Sequence, residues 1–232
     1  MLASQSRQQH LKTSIPREFG SFLADAADAG QDVISIAFAR QEEYKVKDLL
    51  KGINVFLIGM MGAGKTTVGQ QLARQLGYGF LDTDSVIEQL VGKTISEIFT
   101  YDGEEAFRQL EAQVLCEVSA YTNLTVATGG GIVLRQLNWS YLHHGLVIWL
   151  DAPVSVLIER LQNDQTRPLL QTPEPAQALQ TLLDSRRQLY AEADLSIPIT
   201  ATQTPEEIVA RIIAEIPTVL KSPKVAPSHQ DN

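Results

Sequence analysis

Cysteine is nearly absent from this chain of 232 residues, Cys116 being the only one. A lone thiol excludes an intrachain disulfide and any zinc site built from cysteine pairs, and it fits a reducing compartment. Its position in a helical segment, at core-like spacing, predicts a buried and inert thiol. Long apolar runs are also missing: none approaches the ~18 residues needed to cross a bilayer, and the N-terminus lacks the apolar region of a signal peptide. Basic clusters are scarce as well. Lys and Arg number 19 against 27 Asp and Glu, a net charge of −8, so the electrostatic footprint of a nucleic-acid binder is not there. Residues 1–17 carry Arg7, Lys12, Arg17, three serines and no acid, but Glu18, Asp25, Asp28 and Asp32 follow and break a transit-peptide pattern. A cytosolic protein is expected, with a plastid the alternative if residues 1–17 belong to a transit peptide. No internal repeat occurs.

What remains is enough for a real core, with 44% hydrophobic residues in a chain long enough for one domain plus appendages. Residues 1–50 read as a partly ordered extension, with a short amphipathic helix at 16–29 and an extra strand at 33–39. From Gly52 onward strands alternate with helices. Strands are expected at 53–58, 79–82, 124–127, 146–150 and 195–199. Helices are expected at 64–76, 84–91, 94–101, 103–121, 153–162, 175–191 and 205–216. This alternation predicts an α/β fold, a parallel sheet covered on both faces. The polar, proline-punctuated stretch 163–175 reads as a mobile lid. The domain spans 51–217, and the Pro-, Lys- and Ser-rich tail 218–232 is expected to be disordered.

The most informative stretch runs from Ile53 to Thr67. An apolar strand enters a glycine-rich turn, and a helix leaves it. Gly59, Gly64, Lys65 and Thr66 satisfy the phosphate-loop spacing of Gly, four residues, Gly, Lys and Thr or Ser. Glycines let successive backbone N–H groups turn toward an anion, and the helix presents its positive end to the same anion. Gly62, Ala63, Gly64, Lys65, Thr66 and Thr67 are therefore the candidate nucleotide-binding residues, with Lys65 on the outer phosphates and the Thr66 hydroxyl on Mg²⁺.

Four further clusters fall at strand ends or on adjoining helices, where open parallel sheets bind ligands. Asp82 and Asp84 follow the second strand. Alone they read as an Asx-turn or helix cap, but opposite a phosphate loop they can divide between a metal's water shell and a substrate hydroxyl. Arg108 and Glu111 share one helix face. On spacing alone a surface ion pair is the preferred reading, and a guanidinium aimed at a substrate carboxylate the sharper one. Gly129, Gly130 and Gly131 follow a strand, where three glycines imply either a tight turn or a close backbone approach to a ligand. Arg160, Arg167, Arg186 and Arg187 make the last group, and Arg167 lies in the expected lid, where a cation can close over phosphates.

Taken together these residues resemble the shikimate kinase family, P-loop kinases of the nucleoside-monophosphate-kinase group. The resemblance covers about residues 52–217. It rests on Gly59–Gly69, Phe80-Leu-Asp-Thr-Asp84, Phe107-Arg-x-x-Glu111, Thr128-Gly-Gly-Gly131, Arg167-Pro-Leu-Leu170 and Arg186-x-x-Leu-Tyr190, in the family's order. It implies a three-layer fold with a five-stranded parallel sheet in order 2-3-1-4-5, and ATP- and Mg²⁺-dependent phosphorylation of the 3-hydroxyl of shikimate by a monomer. By position, Asp82 would orient the metal's waters, and Asp84 would bind the substrate hydroxyls and receive the proton. Arg108 and Arg186 would clamp the carboxylate, supported by Glu111, with amide contacts from Gly130 and Gly131. Arg167 would act on the transferring phosphoryl group, while Arg160 and the segment near Pro205 would border the adenine. One departure stands out: Gln188 occupies a position where the family usually has proline, which leaves Arg187 as a competitor for the role of Arg186. Kinases of gluconate or of nucleoside monophosphates, and a silent nucleotide-binding relative, are the weaker alternatives.

Overall fold

Four short strands and one longer one form the sheet, and their apolar patterns already tell where each lies. β1 (Val55–Ile58) is buried at every position, as is β4 (Leu146–Asp151) up to its last residue. Continuous apolar runs of this kind are what a central strand covered on both faces requires. β2 (Gly79–Asp82) is only half buried, and β5 (Leu195–Pro198) alternates buried with exposed, as edge strands do. Pro198, which has no N–H to give a ladder, sits at such an edge. With β3 (Leu124–Ala127) the strands pair in parallel in the order β2-β3-β1-β4-β5, the order that the family resemblance implies.

The structure, a computed structural model, describes residues 46–162 and 172–220. The expected helix at 16–29 and strand at 33–39 lie outside the described residues. So do 163–171 of the expected lid, Arg167 among them, and residues 221–232 of the tail. The described residues fall in one compact unit. A helical turn at 46–50 gives Val46 and Leu50 to its core. No helix among the described residues is long and apolar enough to cross a membrane.

α1 (Lys65–Leu76) follows the glycine turn, capped at its start by Gly64 at φ 97° and stopped by Gly77 at φ 63°. At its end Tyr78 N donates to Ala73 O (2.8 Å) and Gly77 N to Arg74 O (3.3 Å), the left-handed C-terminal cap that a glycine there predicts. α2 (Thr83–Val91) begins immediately after β2. Thr94 and Glu97 form a capping box at the start of α3 (Ile95–Glu97). A wide turn over Ile98–Asp102 then leads into α4 (Gly103–Ser119). α5 (Gln136–Leu142), α6 (Val154–Leu161), α7 (Pro175–Tyr190) and α8 (Pro205–Leu220) complete the helices.

Three differences from the sequence expectation have physical causes. The single turn Ile132–Leu134 and α5 were not expected. They carry no side-chain cap, and Leu134 and Leu137 are exposed, so no apolar stripe announces them. They are held instead by Asn138 Nδ2 donating to Ile132 O (2.8 Å) and Trp139 Nε1 to Val133 O (3.2 Å). α8 runs past Pro217 to Leu220, because Ile208, Val209, Ile212, Ile213 and Ile216 form a buried stripe that Val219 and Leu220 extend. Cys116 is exposed, not buried. The buried residues of α4 are Phe107, Arg108, Glu111, Ala112, Val114, Leu115 and Val118, and position 116, one turn beyond Ala112, falls at the exposed edge of that face.

Candidate active site

The strand register gathers the chemistry at one edge of the sheet. Asp82 pairs with Ala127, Leu57 with Ala127 and Ile58 with Trp149. Consequently the acidic turn after β2, the glycine triplet after β3 and the phosphate loop after β1 leave neighbouring strands side by side.

In the phosphate loop Gly59, Gly62 and Gly64 all have positive φ, at 137°, 78° and 97°. A Cβ on Gly59 would stand 2.7 Å from Leu150 O, so this glycine is needed for space as well as for conformation. Lys65 is nearly buried, with its ammonium 2.9 Å from both Gly59 O and Met60 O. The lysine is thus held inside the loop it follows. Outside, Arg160 Nη1 donates to Ala63 O (3.1 Å) and Gly62 O (3.3 Å) and so closes over the loop from α6. Thr66 Oγ1 donates to Asp82 Oδ2 at 2.7 Å. The other oxygen of Asp82 caps α2, accepting from Asp84 N (3.1 Å) and Ser85 N (3.4 Å). The Asx cap and the site role suggested for Asp82 therefore fall on different oxygens of one carboxylate.

The glycine triplet is the meeting point. A Cβ on Gly129 would lie 2.7 Å from Asp84 Oδ1 and 2.7 Å from Glu111 Oε1, so the two carboxylates flank this glycine. One on Gly130 would lie 3.5 Å from Gly59 O and from Met61 N, directly beside the phosphate loop. Gly131 is covered by the Arg108 guanidinium. Gly130 O accepts from Arg186 Nη1 at 3.1 Å. On spacing alone a surface ion pair is the preferred reading for Arg108 and Glu111, and burial overturns it. Arg108 is 8% exposed and Glu111 fully buried, with Arg108 Nη1 donating to Glu111 Oε2 at 2.8 Å. Glu104 Oε1 accepts from Arg108 Nη2 at 3.2 Å, and the Phe107 and Phe99 rings lie 5.1 and 5.9 Å from the guanidinium carbon. Burial pushes the Glu111 carboxyl above its usual range, opposed by Arg108.

Arg186 and Arg187 are separated by helix phase. Arg187 pairs with Asp151 Oδ2 at 3.4 Å and lies 5.6 Å over the Trp149 ring, away from the glycine turn. Gln188 is exposed within α7, and with an N–H where proline would have none it leaves the helix regular up to Tyr190. Pro205 opens α8, tied to α1 through Gln71 Nε2 and Glu206 Oε1 (2.8 Å). Two residues outside the expected set join the cluster. Thr83 Oγ1 accepts from Gly129 N at 3.1 Å, and Tyr190 donates to Gly130 O at 2.5 Å. Tyr190 falls one helical turn after Arg186, and that i, i+4 spacing is the signal that links them. Among the described residues no group of three or more His, Cys, Asp or Glu could hold a metal.

The family model for shikimate kinase matches residues 61–217. The chain belongs to the shikimate kinase family. A shikimate kinase of Nostoc sp. is 59% identical over 176 residues, covering 76% of this chain and 97% of that one. One of Synechococcus elongatus is 57% identical over 173 residues, covering 75% and 91%. Among solved structures, shikimate kinase from Acinetobacter baumannii in complex with shikimate is 40% identical with a TM-score of 0.70, covering 76% of this chain and 98% of that one. The enzyme from Bacteroides thetaiotaomicron is 34% identical with a TM-score of 0.66, covering 71% and 98%. The matched span thus holds the phosphate loop from Met61 on, the acid pair, the glycine triplet and both guanidiniums. Residues 1–60 and 218–232 stand outside it.

Proposed function

We propose that this chain transfers the γ-phosphoryl group of ATP to the 3-hydroxyl of shikimate, giving shikimate 3-phosphate and ADP in the route to chorismate and the aromatic amino acids. One observation carries this reading: Arg108 and Arg186 converge on a glycine turn that sits directly against the phosphate loop. Two guanidiniums suit a carboxylate, which they grip through charge-assisted hydrogen bonds. The likeness to the Acinetobacter enzyme solved with shikimate supports it.

The roles follow from placement. The amides of Gly62, Ala63, Gly64, Thr66 and Thr67 cradle the phosphates at the positive end of α1, and Lys65 leaves its carbonyl partners for the outer phosphates. Arg160 and Pro205 border the adenine, and Arg167, outside the described residues, acts on the transferring phosphoryl group. The Thr66 hydroxyl would hold Mg²⁺ and the Asp82 carboxylate beside it would act through the metal's water, an all-oxygen set of the kind Mg²⁺ takes. Bound there, the metal supplies charge neutralisation on the phosphates. Asp84 orients the acceptor hydroxyl and takes its proton as the new O–P bond forms and the bond to the ADP oxygen breaks. Arg108 and Arg186 hold the carboxylate, Glu111 holds Arg108, and Gly130 and Gly131 offer amides. In-line positioning and electrostatics account for most of phosphoryl transfer, so this division of labour suffices. A cytosolic monomer fits the reading; a plastid would require residues 1–17 to act as a transit peptide.

Calorimetric titration with shikimate, with and without ADP, tests the proposal. Saturable shikimate binding is expected, together with shikimate-dependent ADP release in a coupled assay. A protein that turns over gluconate or AMP and ignores shikimate would refute it.

A further inference from the structure

Gly130 and Gly131 are joined by a trans peptide, as are all the described residues. In a trans peptide unit the C=O and the following N–H point in opposite directions, so whatever fixes Gly130 O also fixes the direction of Gly131 N–H. Between two glycines that unit turns over at little steric cost, since neither residue has a Cβ to forbid φ > 0. Something outside the turn must hold it.

The surrounding contacts show what does. Gly129 O and Gly131 O accept from Ile132 N and Leu134 N within the turn, and Gly129 N donates to Thr83 Oγ1. Gly130 O is the one triplet carbonyl reached from another helix, by Tyr190 OH at 2.5 Å and Arg186 Nη1 at 3.1 Å. Among the described residues the Gly130 and Gly131 N–H groups make no hydrogen bond. Tyr190 is itself immobilised. It is fully buried, stacked on Trp149 with centroids 5.7 Å apart and planes at 20°, with its hydroxyl 3.7 Å from Met60 Sδ. Burial keeps the phenol neutral and a donor by raising its pKa.

We propose that Tyr190 is a positioning residue for the substrate acid: its hydroxyl locks the Gly130–Gly131 peptide so that the Gly131 N–H faces away from α7, available to a bound oxygen. It also relieves Arg186 of holding the turn alone, leaving the other guanidinium N–H groups for the carboxylate. The inference rests on the reading that these glycine amides and Arg186 contact shikimate.

The test uses the full chain, ¹⁵N-labelled at glycine, in Tyr190→Phe, which keeps the stacked ring. A lost neutral hydrogen bond predicts a rise of about five- to tenfold in the KM for shikimate. The KM for ATP should stay within twofold, and the Gly131 amide resonance should shift or broaden while Gly62 and Gly64 stay put. Replacing Tyr190 by p-aminophenylalanine, whose N–H restores a weaker donor, should recover part of the loss. An unchanged shikimate KM, a parallel rise for ATP and shikimate, or an amino variant no better than Phe would each overturn the proposal. If Tyr190→Phe does not fold, p-fluorophenylalanine at position 190, which keeps a para atom but donates no hydrogen bond, takes its place, and a shikimate KM equal to wild type in that variant refutes the lock. The underlying reading fails separately: shikimate added to the wild-type protein would then leave the Gly130 and Gly131 amides unmoved, and the inference would fall with it.

Discussion

Gly131→Ala isolates the cation wall of the site from everything else. Gly131 has φ −102° and ψ 4°, a conformation alanine adopts without strain, so any effect must come from the added methyl. That methyl would stand far inside contact distance of the Arg108 guanidinium, which must therefore recede by roughly 1 Å to reach ordinary separation. The retreat is obstructed. Glu111 holds one nitrogen at 2.8 Å, the Phe107 and Phe99 rings pack on the guanidinium, and only the Glu104 side is open, at 63% exposure. Overpacking of this kind costs about 1–3 kcal/mol of stability. The larger cost of stranding buried Glu111 is avoided because Arg108 stays nearby. A displacement of about 1 Å in a positioning group can cost on the order of 100-fold in kcat/KM, or about 2.7 kcal/mol of barrier. Steady-state ADP release at saturating ATP with shikimate varied, beside thermal unfolding by circular dichroism, reads both quantities. Gly92→Ala is the control: φ is +69° with nothing within 4 Å of a Cβ, so it should lose about 1 kcal/mol through strain and keep its shikimate kinetics. A Gly131→Ala protein with kcat/KM for shikimate within threefold of wild type would refute the reasoning.

Arg186→Ala should raise the KM for shikimate by roughly 10- to 100-fold, the worth of a charge-assisted hydrogen bond. Arg187→Ala, which removes only a half-exposed pair with Asp151 worth at most about 1 kcal/mol, should stay within twofold in the same assay; equal losses would show that helix phase does not choose between them. Glu111→Gln tests the buried carboxyl. Its folded pKa is raised by burial, so from the ordinary value of about 4.3 up to the folded value the native state holds the extra proton, and wild-type stability falls as pH rises through that window. The variant escapes this loss, so the wild-type advantage in urea unfolding should shrink as pH rises above about 4.3, and an advantage that grows with pH would contradict the assignment.

Local rules carried most of the fold. Gly77 after Leu76 stopped α1 because a left-handed cap needs a glycine, and the alternation of strand and helix announced the parallel sheet. What escaped was decided by tertiary contacts. α5 is held by Asn138 and Trp139 reaching back to carbonyls, which no periodicity encodes. α8 continues through Pro217 because the buried isoleucine stripe outweighs one missing hydrogen bond. Arg108 and Glu111 show the same limit at the site. Their spacing fits a surface pair, and only Phe99, Phe107 and the glycine turn packed around them make it a buried one. The different surroundings of Arg186 and Arg187 were nonetheless latent in the chain. Leu179, Leu183 and Tyr190 are the buried positions of α7, and carrying their stripe forward puts 186 beside it and turns 187 toward Trp149.

The glycine triplet joins these points, because each glycine is small for a different neighbour. At Gly129 a methyl would strike two carboxylate oxygens at 2.7 Å, forcing apart Asp84, which we propose meets the acceptor hydroxyl, and Glu111, which pairs with Arg108. At Gly131 it would strike the guanidinium itself. At Gly130 the nearest atoms would be at 3.5 Å, ordinary contact distance, so the empty protein has room for alanine there. The space it would take lies between the turn and the phosphate loop, where the proposed function brings the reacting hydroxyl to the nucleotide. Substitution at Gly130 should therefore spare stability while obstructing transfer, whereas substitution at its two neighbours should disturb both. Three successive glycines thus bring one turn against two carboxylates, the phosphate loop and an arginine.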